Sequence, residues 1–252
     1  MTIRHACIGF MGFLAGCGAV NDSTAEEEVA FVSSAPPATN AIPAVAHGDD
    51  VLQSLNSDTG CLNTGDGDTT LRFINRCPFP VVFAGTRIPG GRLDKNAQAC
   101  QTVGKNWEHM ISMRYWGFRE GSDPGYGRRS LAEFGFNEVF AGYKSWDWFN
   151  LSHVDAHNLP LKIVPYELGS GRTCEKQTRS CPRDLLPGCP QDGKFPKKGS
   201  VVISCVSPER DNPNSEVVKY FDMSCDQAYS WSKDDKAMAA CNAGDFDIVF
   251  CP

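Results

Sequence analysis

Three residues with metal-binding side chains alternate in the stretch His153-Val154-Asp155-Ala156-His157. Alternate residues of a β-strand point to the same face, so a straight strand would bring both imidazoles and the carboxylate together. Two histidines and a carboxylate can bind zinc or iron. A bend in the segment would separate them. We therefore keep His153, Asp155 and His157 as a candidate metal site and expect no cofactor.

The chain has 12 cysteines among 252 residues, which is unusual unless they bind metal or form disulfides. No C-x-x-C pair occurs, so zinc ribbons and thioredoxin-like redox sites find no support. The remaining interpretation is oxidised pairing in an export compartment.

Two tryptophans also have a spacing with chemical meaning. Trp146 and Trp148 fall on the same face of any strand and border Asn150. Such rings either stack on sugars or fill the core of a β-sandwich. We rank these two first among the aromatic residues for sugar contact.

The first residues predict an export signal. Arg4 precedes an apolar stretch that is about half of the ~20 residues a membrane span needs. Leu14-Ala15-Gly16-Cys17 resembles the bacterial lipobox, in which cleavage precedes a cysteine that is then lipidated. We predict a signal peptide at 1–16, lipidation of Cys17 and, because Gly18 follows, anchoring at the bacterial outer membrane or cell surface. The alternative is ordinary cleavage with Cys17 as a bystander.

Charge divides the chain into two parts. Residues 18–68 contain nine acidic and no basic residues, whereas 69–252 contain 21 acidic and 23 basic residues. The acidic, apolar-poor segment 17–59 predicts an extended tether, and 60–252 a folded domain. The folded part has no strong basic patch, which argues against nucleic acid as a partner.

Short apolar runs separated by turn residues predict an all-β sandwich for the folded part. The runs lie at 71–74, 81–83, 159–164, 201–205 and 246–250. Two short segments, 183–186 and 220–229, are the best candidates for helix. Nothing in the sequence indicates an oligomeric state.

Several segments resemble the thaumatin family in order and along nearly all of 69–252. They are 73–81 (FINRCPFPV), 90–93 (GGRL), 131–134 (LAEF), 154–161 (VDAHNLPL), 181–190 (CPRDLLPGCP), 220–231 (YFDMSCDQAYSW) and 247–252 (DIVFCP). Two cysteine-rich insertions of the large family members are absent, so the chain is similar to the small microbial type. The resemblance implies a thaumatin-like β-sandwich with disulfide-rich loops and few short helices.

The resemblance also implies the disulfides. It pairs Cys77 with Cys251, Cys174 with Cys241, Cys181 with Cys225, and Cys189 with Cys205. With Cys7 in the signal and Cys17 lipidated, Cys61 and Cys100 remain, and we predict that they pair.

Many family members have a cleft lined by one arginine, one glutamate and three aspartates. Matching positions here are Glu133 and Asp155, with Arg119 as the arginine and Arg114 as the competing alignment. One family aspartate becomes Asn150. Another aligns with Gln227 and leaves Asp226 next to it.

The resemblance implies binding of a polysaccharide of the β-glucan class by the cleft residues Arg119, Glu133, Asn150, Asp155 and Asp226. From their spacing we add Trp146 and Trp148 to the predicted binding residues. The enzyme alternative is a weak endo-β-1,3-glucanase with Glu133 as acid and Asp155 as its partner. If an arginine keeps Glu133 ionised, that residue accepts hydrogen bonds and is unsuited to general acid catalysis. A third possibility is a protein-interaction or inhibitor module, because a fold does not fix a function.

Overall fold

The computed structural model describes residues 61–138, 146–168, 174–198 and 201–252. The predicted signal peptide, Cys17 and the predicted tether therefore lie outside the described residues. Within the described ranges, no helix is both long enough and apolar enough to span a membrane.

Two sheets pack as a sandwich, with a small three-stranded sheet beside them. The strands are β1 (Asp68–Asn75), β2 (Val81–Gly85), β3 (Gly91–Leu93), β4 (Gln98–Lys105), β5 (Met110–Arg119), β6 (Leu131–Glu138), β7 (Trp146–Ser152), β8 (Ala156–His157), β9 (Leu161–Glu167), β10 (Arg179–Cys181), β11 (Lys194–Phe195), β12 (Ser204–Val206), β13 (Ala228–Tyr229), β14 (Ala239–Cys241) and β15 (Ala243–Phe250). The one α-helix of the described residues, α1, spans Glu216–Ser224, and single 3-10 turns lie at Cys174–Gln177, Gln191–Gly193 and Asp235–Ala237.

The first sheet has the order β10-β9-β15-β1-β4 and the second β13-β7-β6-β5-β2-β3, with β14 pairing to β7. The first and last strands of the domain, β1 and β15, run parallel at the centre of the first sheet. The prediction of an all-β sandwich with few short helices is confirmed.

An aromatic core fills the space between the sheets. Phe134 of β6 stacks with Phe149 of β7 at a centroid distance of 6.1 Å and meets Phe246 of β15 edge-on at 5.1 Å. Gly117 of β5 allows the two sheets to approach closely, because a Cβ there would lie 2.5 Å from the ring of Phe250. Residues that alternate with these core positions on β5, β6 and β7 face away from the core.

Five disulfides join the described cysteines. They link Cys77 to Cys251, Cys174 to Cys241, Cys181 to Cys225, Cys189 to Cys205 and Cys61 to Cys100. These are the pairs named from the sequence. Two of them tie the region between β9 and β13 to strands of the sandwich, Cys174–Cys241 at β14 and Cys181–Cys225 at β10.

The predicted helices need correction. Residues 183–186 form an irregular loop, because Pro182 and Pro187 bracket them and the Leu185 N–H donates to His157 rather than to a helical carbonyl. The second helix starts earlier than predicted, at Glu216, where the Ser215 hydroxyl caps it by accepting from the Val218 N–H. It ends before Cys225, which bonds to Cys181. Residues 201–203 are also outside any strand.

Candidate functional site

A row of three polar residues crosses the outer face of the second sheet. The strand register places Arg114 of β5 opposite Glu133 of β6, and Glu133 opposite Asn150 of β7. The neighbours Tyr115 and Phe149 are buried in the core, so alternation turns the polar row outward. The polar row is therefore fixed by hydrogen-bonded strands rather than by loops.

Glu133 has two partners in this row. Its Oε1 lies 3.1 Å from Nε of Arg114, and its Oε2 accepts a hydrogen bond of 3.2 Å from Nδ2 of Asn150. The Glu133 side chain is 27% exposed. The carboxylate is thus held in place on both sides while part of it still faces solvent.

The row lies in an open groove of about 580 Å³, which we call the Glu133 groove. Its walls include Trp148, Tyr229, Asp235 and Met238. The Tyr229 hydroxyl donates to Oδ1 of Asp235 at 3.4 Å. Burial, the Asp235 carboxylate and, more weakly, Asp234 and Glu133 raise the pKa of Tyr229 to about 12, so its hydroxyl remains a donor at neutral pH.

Asp155 lies in a small pocket next to this groove. The pocket also contains Arg114, Trp116 and Tyr126, so Arg114 borders both spaces. Oδ1 of Asp155 lies 2.6 Å from Nη1 of Arg210, and its side chain is 29% exposed. Glu133 and Asp155 therefore flank one arginine, and each has an arginine partner of its own.

The structure corrects the choice of Arg119. Arg119 is five positions from Arg114 on β5, so alternation places it on the opposite face, and it pairs with Val81 of β2. Its guanidinium lies 5.0 Å from the ring centre of Phe79 and borders a different cavity. The arginine beside Glu133 is Arg114, the competing alignment.

The placement of Asp226 in the cleft is also wrong. It does not line either pocket of the site, and its charge instead acts on Lys236. The neighbouring Gln227 accepts from the Ser180 N–H. Asp235 supplies the acid on this side of the groove.

Sequence reasoning missed Asp235 and Arg210. The pair Asp234-Asp235 follows the 220–231 segment, and this was the only available signal for the first. Asp234 accepts from the Ser230 N–H and hydroxyl, which closes a tight loop and leaves Asp235 beside Tyr229. Arg210 lies outside every segment that resembles the family.

The two ranked tryptophans differ in position. Trp148 lines the Glu133 groove. Trp146 is 45% exposed and lies two residues further from Asn150, at the start of β7. Trp148 is the better placed of the two to meet a sugar ring in the groove.

The candidate metal set does not assemble as predicted. His153 and His157 are fully buried, whereas Asp155 points to the surface pocket and pairs with Arg210. The third group near the imidazoles is Cys181, whose sulfur is in a disulfide. The chain bends after β7, so the straight-strand premise fails.

The Glu133 groove and its adjoining pocket are lined by four acids and two arginines: Glu133, Glu138, Asp155, Asp235, Arg114 and Arg129. A carboxylate held between donors accepts hydrogen bonds from hydroxyl groups, and an arginine donates to hydroxyl oxygens. A general acid, by contrast, needs surroundings that favour a protonated carboxyl, and both Glu133 and Asp155 are ion-paired. The arrangement suits recognition of a polyhydroxylated ligand.

Comparison with known proteins agrees with this architecture. A profile of the Thaumatin family matches residues 122–252. Zeamatin from Zea mays is 30% identical over 210 residues, covering 71% of this chain and 88% of zeamatin. An alpha-amylase/trypsin inhibitor from Zea mays is 30% identical over 210 residues, covering 71% of this chain and 98% of the inhibitor. A glucan endo-1,3-beta-glucosidase from Prunus avium is 32% identical over 144 residues, covering 49% of this chain and 55% of that protein.

Proposed function

This chain belongs to the thaumatin family, and we propose that its Glu133 groove binds a polysaccharide of the β-1,3-glucan class. The observation that carries the proposal is the Arg114–Glu133–Asn150 row, a fixed series of donors and acceptors across three strands. Support for the glucan class comes from the name of the Prunus avium relative.

The groove offers the two kinds of contact that sugars need. Hydroxyl groups can bond to Glu133, Arg114 and Asn150, and a pyranose ring can lie against Trp148. The site suits a neutral glucan, because two of its carboxylates, Glu133 and Asp155, are already paired with arginines.

We also propose that the protein is exported and acts at a bacterial surface. Disulfide-rich domains form in oxidising compartments, and the five disulfides fit that setting. Lipidation of Cys17 would anchor the chain, and 17–59 would tether the domain. In this proposal the protein is a small microbial thaumatin-like domain held away from the membrane.

The enzyme alternative is endo-β-1,3-glucan hydrolysis by Glu133 and Asp155. The name of the Prunus avium relative and the placement of both carboxyls beside Arg114 favour considering it. Hydrolysis would require one of the two carboxyls to hold a proton in the bound complex. A bound sugar that displaces an arginine from its carboxylate would be needed first.

The inhibitor alternative rests on the name of one relative, the alpha-amylase/trypsin inhibitor from Zea mays. In that case the groove rim would contact a protein. Such binding would not depend on glucan and would leave insoluble glucan free of protein.

The test uses the full chain with Cys17→Ser, so that no lipid is attached and no detergent is needed. Binding to insoluble β-1,3-glucan is measured by co-sedimentation, and hydrolysis by reducing-sugar release from laminarin. We expect retention without sugar release, and an apparent affinity at least about tenfold lower in Glu133→Gln, since a charge-assisted hydrogen bond is worth about 1.5–3 kcal/mol.

Glu108→Gln is the matched control, because Glu108 also pairs with an arginine, Arg87, but lies outside the groove. Its retention should equal that of the parent chain. Sugar release that disappears in Glu133→Gln would establish the enzyme alternative. An absence of retention on every glucan tested would contradict the proposal and favour the inhibitor alternative.

A further inference from the structure

A larger cavity, of about 900 Å³, shares no lining residue with the Glu133 groove or its adjoining pocket. We call it the Arg119 cavity. Its size falls within the range of roughly 300–1,000 Å³ that is typical of small-molecule sites. It lies where the disulfide-rich loops meet the sandwich, beside the C-terminal Cys251.

The walls of the Arg119 cavity are mainly apolar. The side chains that form them include Phe79, Leu159, Leu186, Val201, Val202 and Ile203, together with four prolines. Val201 is 83% exposed, which leaves an apolar surface at the edge of the cavity. Apolar walls of this extent favour a hydrocarbon over a sugar.

Disulfides hold the walls in place. Pro78 follows Cys77, which is bonded to Cys251, and Pro182 follows Cys181, which is bonded to Cys225. A third bond, Cys189–Cys205, lies between the segments that carry Pro187 and Ile203. A cavity with covalently fixed walls binds a ligand with little ordering cost.

The charged groups of the cavity are not equally available. Glu120 pairs with Arg92 at 2.7 Å, and Oδ1 of Asp184 accepts from the Leu186 N–H. In contrast, Arg119 and Lys194 have no ion-pair partner among the described residues. Asp184 also has no ion-pair partner within the described ranges, so the unpaired groups of the cavity are two cations and one carboxylate, which leaves an excess of one positive charge for an anionic ligand beside apolar walls.

We propose that the Arg119 cavity binds a medium-chain fatty acid. The carboxylate lies against Arg119 and Lys194, and the alkyl chain lies along Phe79, Leu186 and Val201. This site is separate from the Glu133 groove, and the proposal does not depend on glucan binding. Charge complementarity selects the carboxylate, and the apolar walls select the alkyl chain.

The test is isothermal titration of dodecanoate, below its micellar concentration, into the detergent-free full chain with Cys17→Ser. We expect saturable binding of one dodecanoate per chain. Arg119→Met should weaken it at least tenfold, because the methionine keeps the apolar contact with Phe79 and removes the charge. Arg87→Met, which removes an exposed arginine elsewhere, should leave dodecanoate binding unchanged.

Val201→Asp provides a second variant that does not disturb packing, since Val201 is exposed. A carboxylate at the edge of the cavity should repel dodecanoate and also weaken its binding at least tenfold. The proposal is overturned if dodecanoate does not saturate, if dodecyltrimethylammonium binds equally well, or if neither Arg119→Met nor Val201→Asp changes the affinity. Co-sedimentation with glucan, measured on the same variants, reports on the other site separately.

Discussion

Replacing the buried His153 by glutamine should make the protein less sensitive to acid. The side chains of His153 and His157 are fully buried, with 0% of their surface exposed to water. The Leu185 N–H donates to Nε2 of His157 at 3.3 Å, so the proton of His157 sits on Nδ1 and faces Nε2 of His153 at 3.3 Å. A second proton on that Nε2 would meet the first. Both imidazoles are therefore neutral in the fold.

The magnitude follows from the pKa of His153. Burial lowers it to about 4, whereas the unfolded chain has the ordinary value of 6.5. The unfolded state binds the extra proton, so the stability linked to His153 is complete above pH 6.5 and is lost as the pH falls toward 4. Between pH 7 and pH 5 the loss amounts to about 2 kcal/mol. Burial and the neighbouring His153 also lower the pKa of His157.

The assay is urea unfolding of the parent chain and of His153→Gln at pH 7 and pH 5. Glutamine can still accept from His157 but does not titrate. The pH-dependent contributions of other groups, including Asp147, to the free energy of unfolding are the same in both proteins and cancel in the comparison. We expect the parent to lose about 2 kcal/mol more than the variant over this range. Equal losses in both proteins would refute the assignment of His153 as a neutral buried base.

Two further predictions concern stability, and one concerns the groove. Burial raises the pKa of Asp147 to about 7. The stability linked to its protonated form is present at acid pH and is lost as the pH rises through 7. Between pH 5 and pH 8 the free energy of unfolding should therefore fall by roughly 2–3 kcal/mol more in the parent than in Asp147→Asn, measured by urea unfolding. The same pH dependence in both proteins would contradict this. Ser215→Ala should cost about 1 kcal/mol in the same assay, because the cap of α1 is lost, and an unchanged midpoint would oppose it. Trp148→Ala should reduce the affinity for glucan at least about fivefold, since stacking contributes about 1 kcal/mol beyond burial. Retention equal to that of the parent would remove Trp148 from the site.

Much of the fold could be predicted because its signals are local or come from a family pattern. Alternating apolar runs specify the strands that place Glu133 and Asn150 on one face. The family resemblance implied four of the disulfides from the order of the cysteines alone, and the structure has the same four pairs. Helix prediction failed at 183–186, because two prolines and a disulfide-rich loop outweigh the local helical pattern.

The candidate site was less predictable because it depends on register and on distant segments. Choosing between Arg114 and Arg119 requires knowing which face of β5 points outward, and the alignment of one motif does not give it. Arg210 and Asp235 both lie outside the strands of the site. Arg210 reaches it through the ion pair with Asp155, and Asp235 follows the turn that Asp234 closes with Ser230. Similarly, Asp155 lies apart from the two histidines, because the backbone bends after β7.

The central claim is that a glucan lies on the Arg114–Glu133–Asn150 row. Isothermal titration of laminarihexaose into Arg114→Met and Arg119→Met variants of the full chain tests it most directly, because the two arginines lie on opposite faces of one strand. We predict that Arg114→Met weakens binding at least about tenfold, equivalent to about 1.4 kcal/mol, and that Arg119→Met binds as the parent does. A loss of binding in Arg119→Met with none in Arg114→Met would contradict the account.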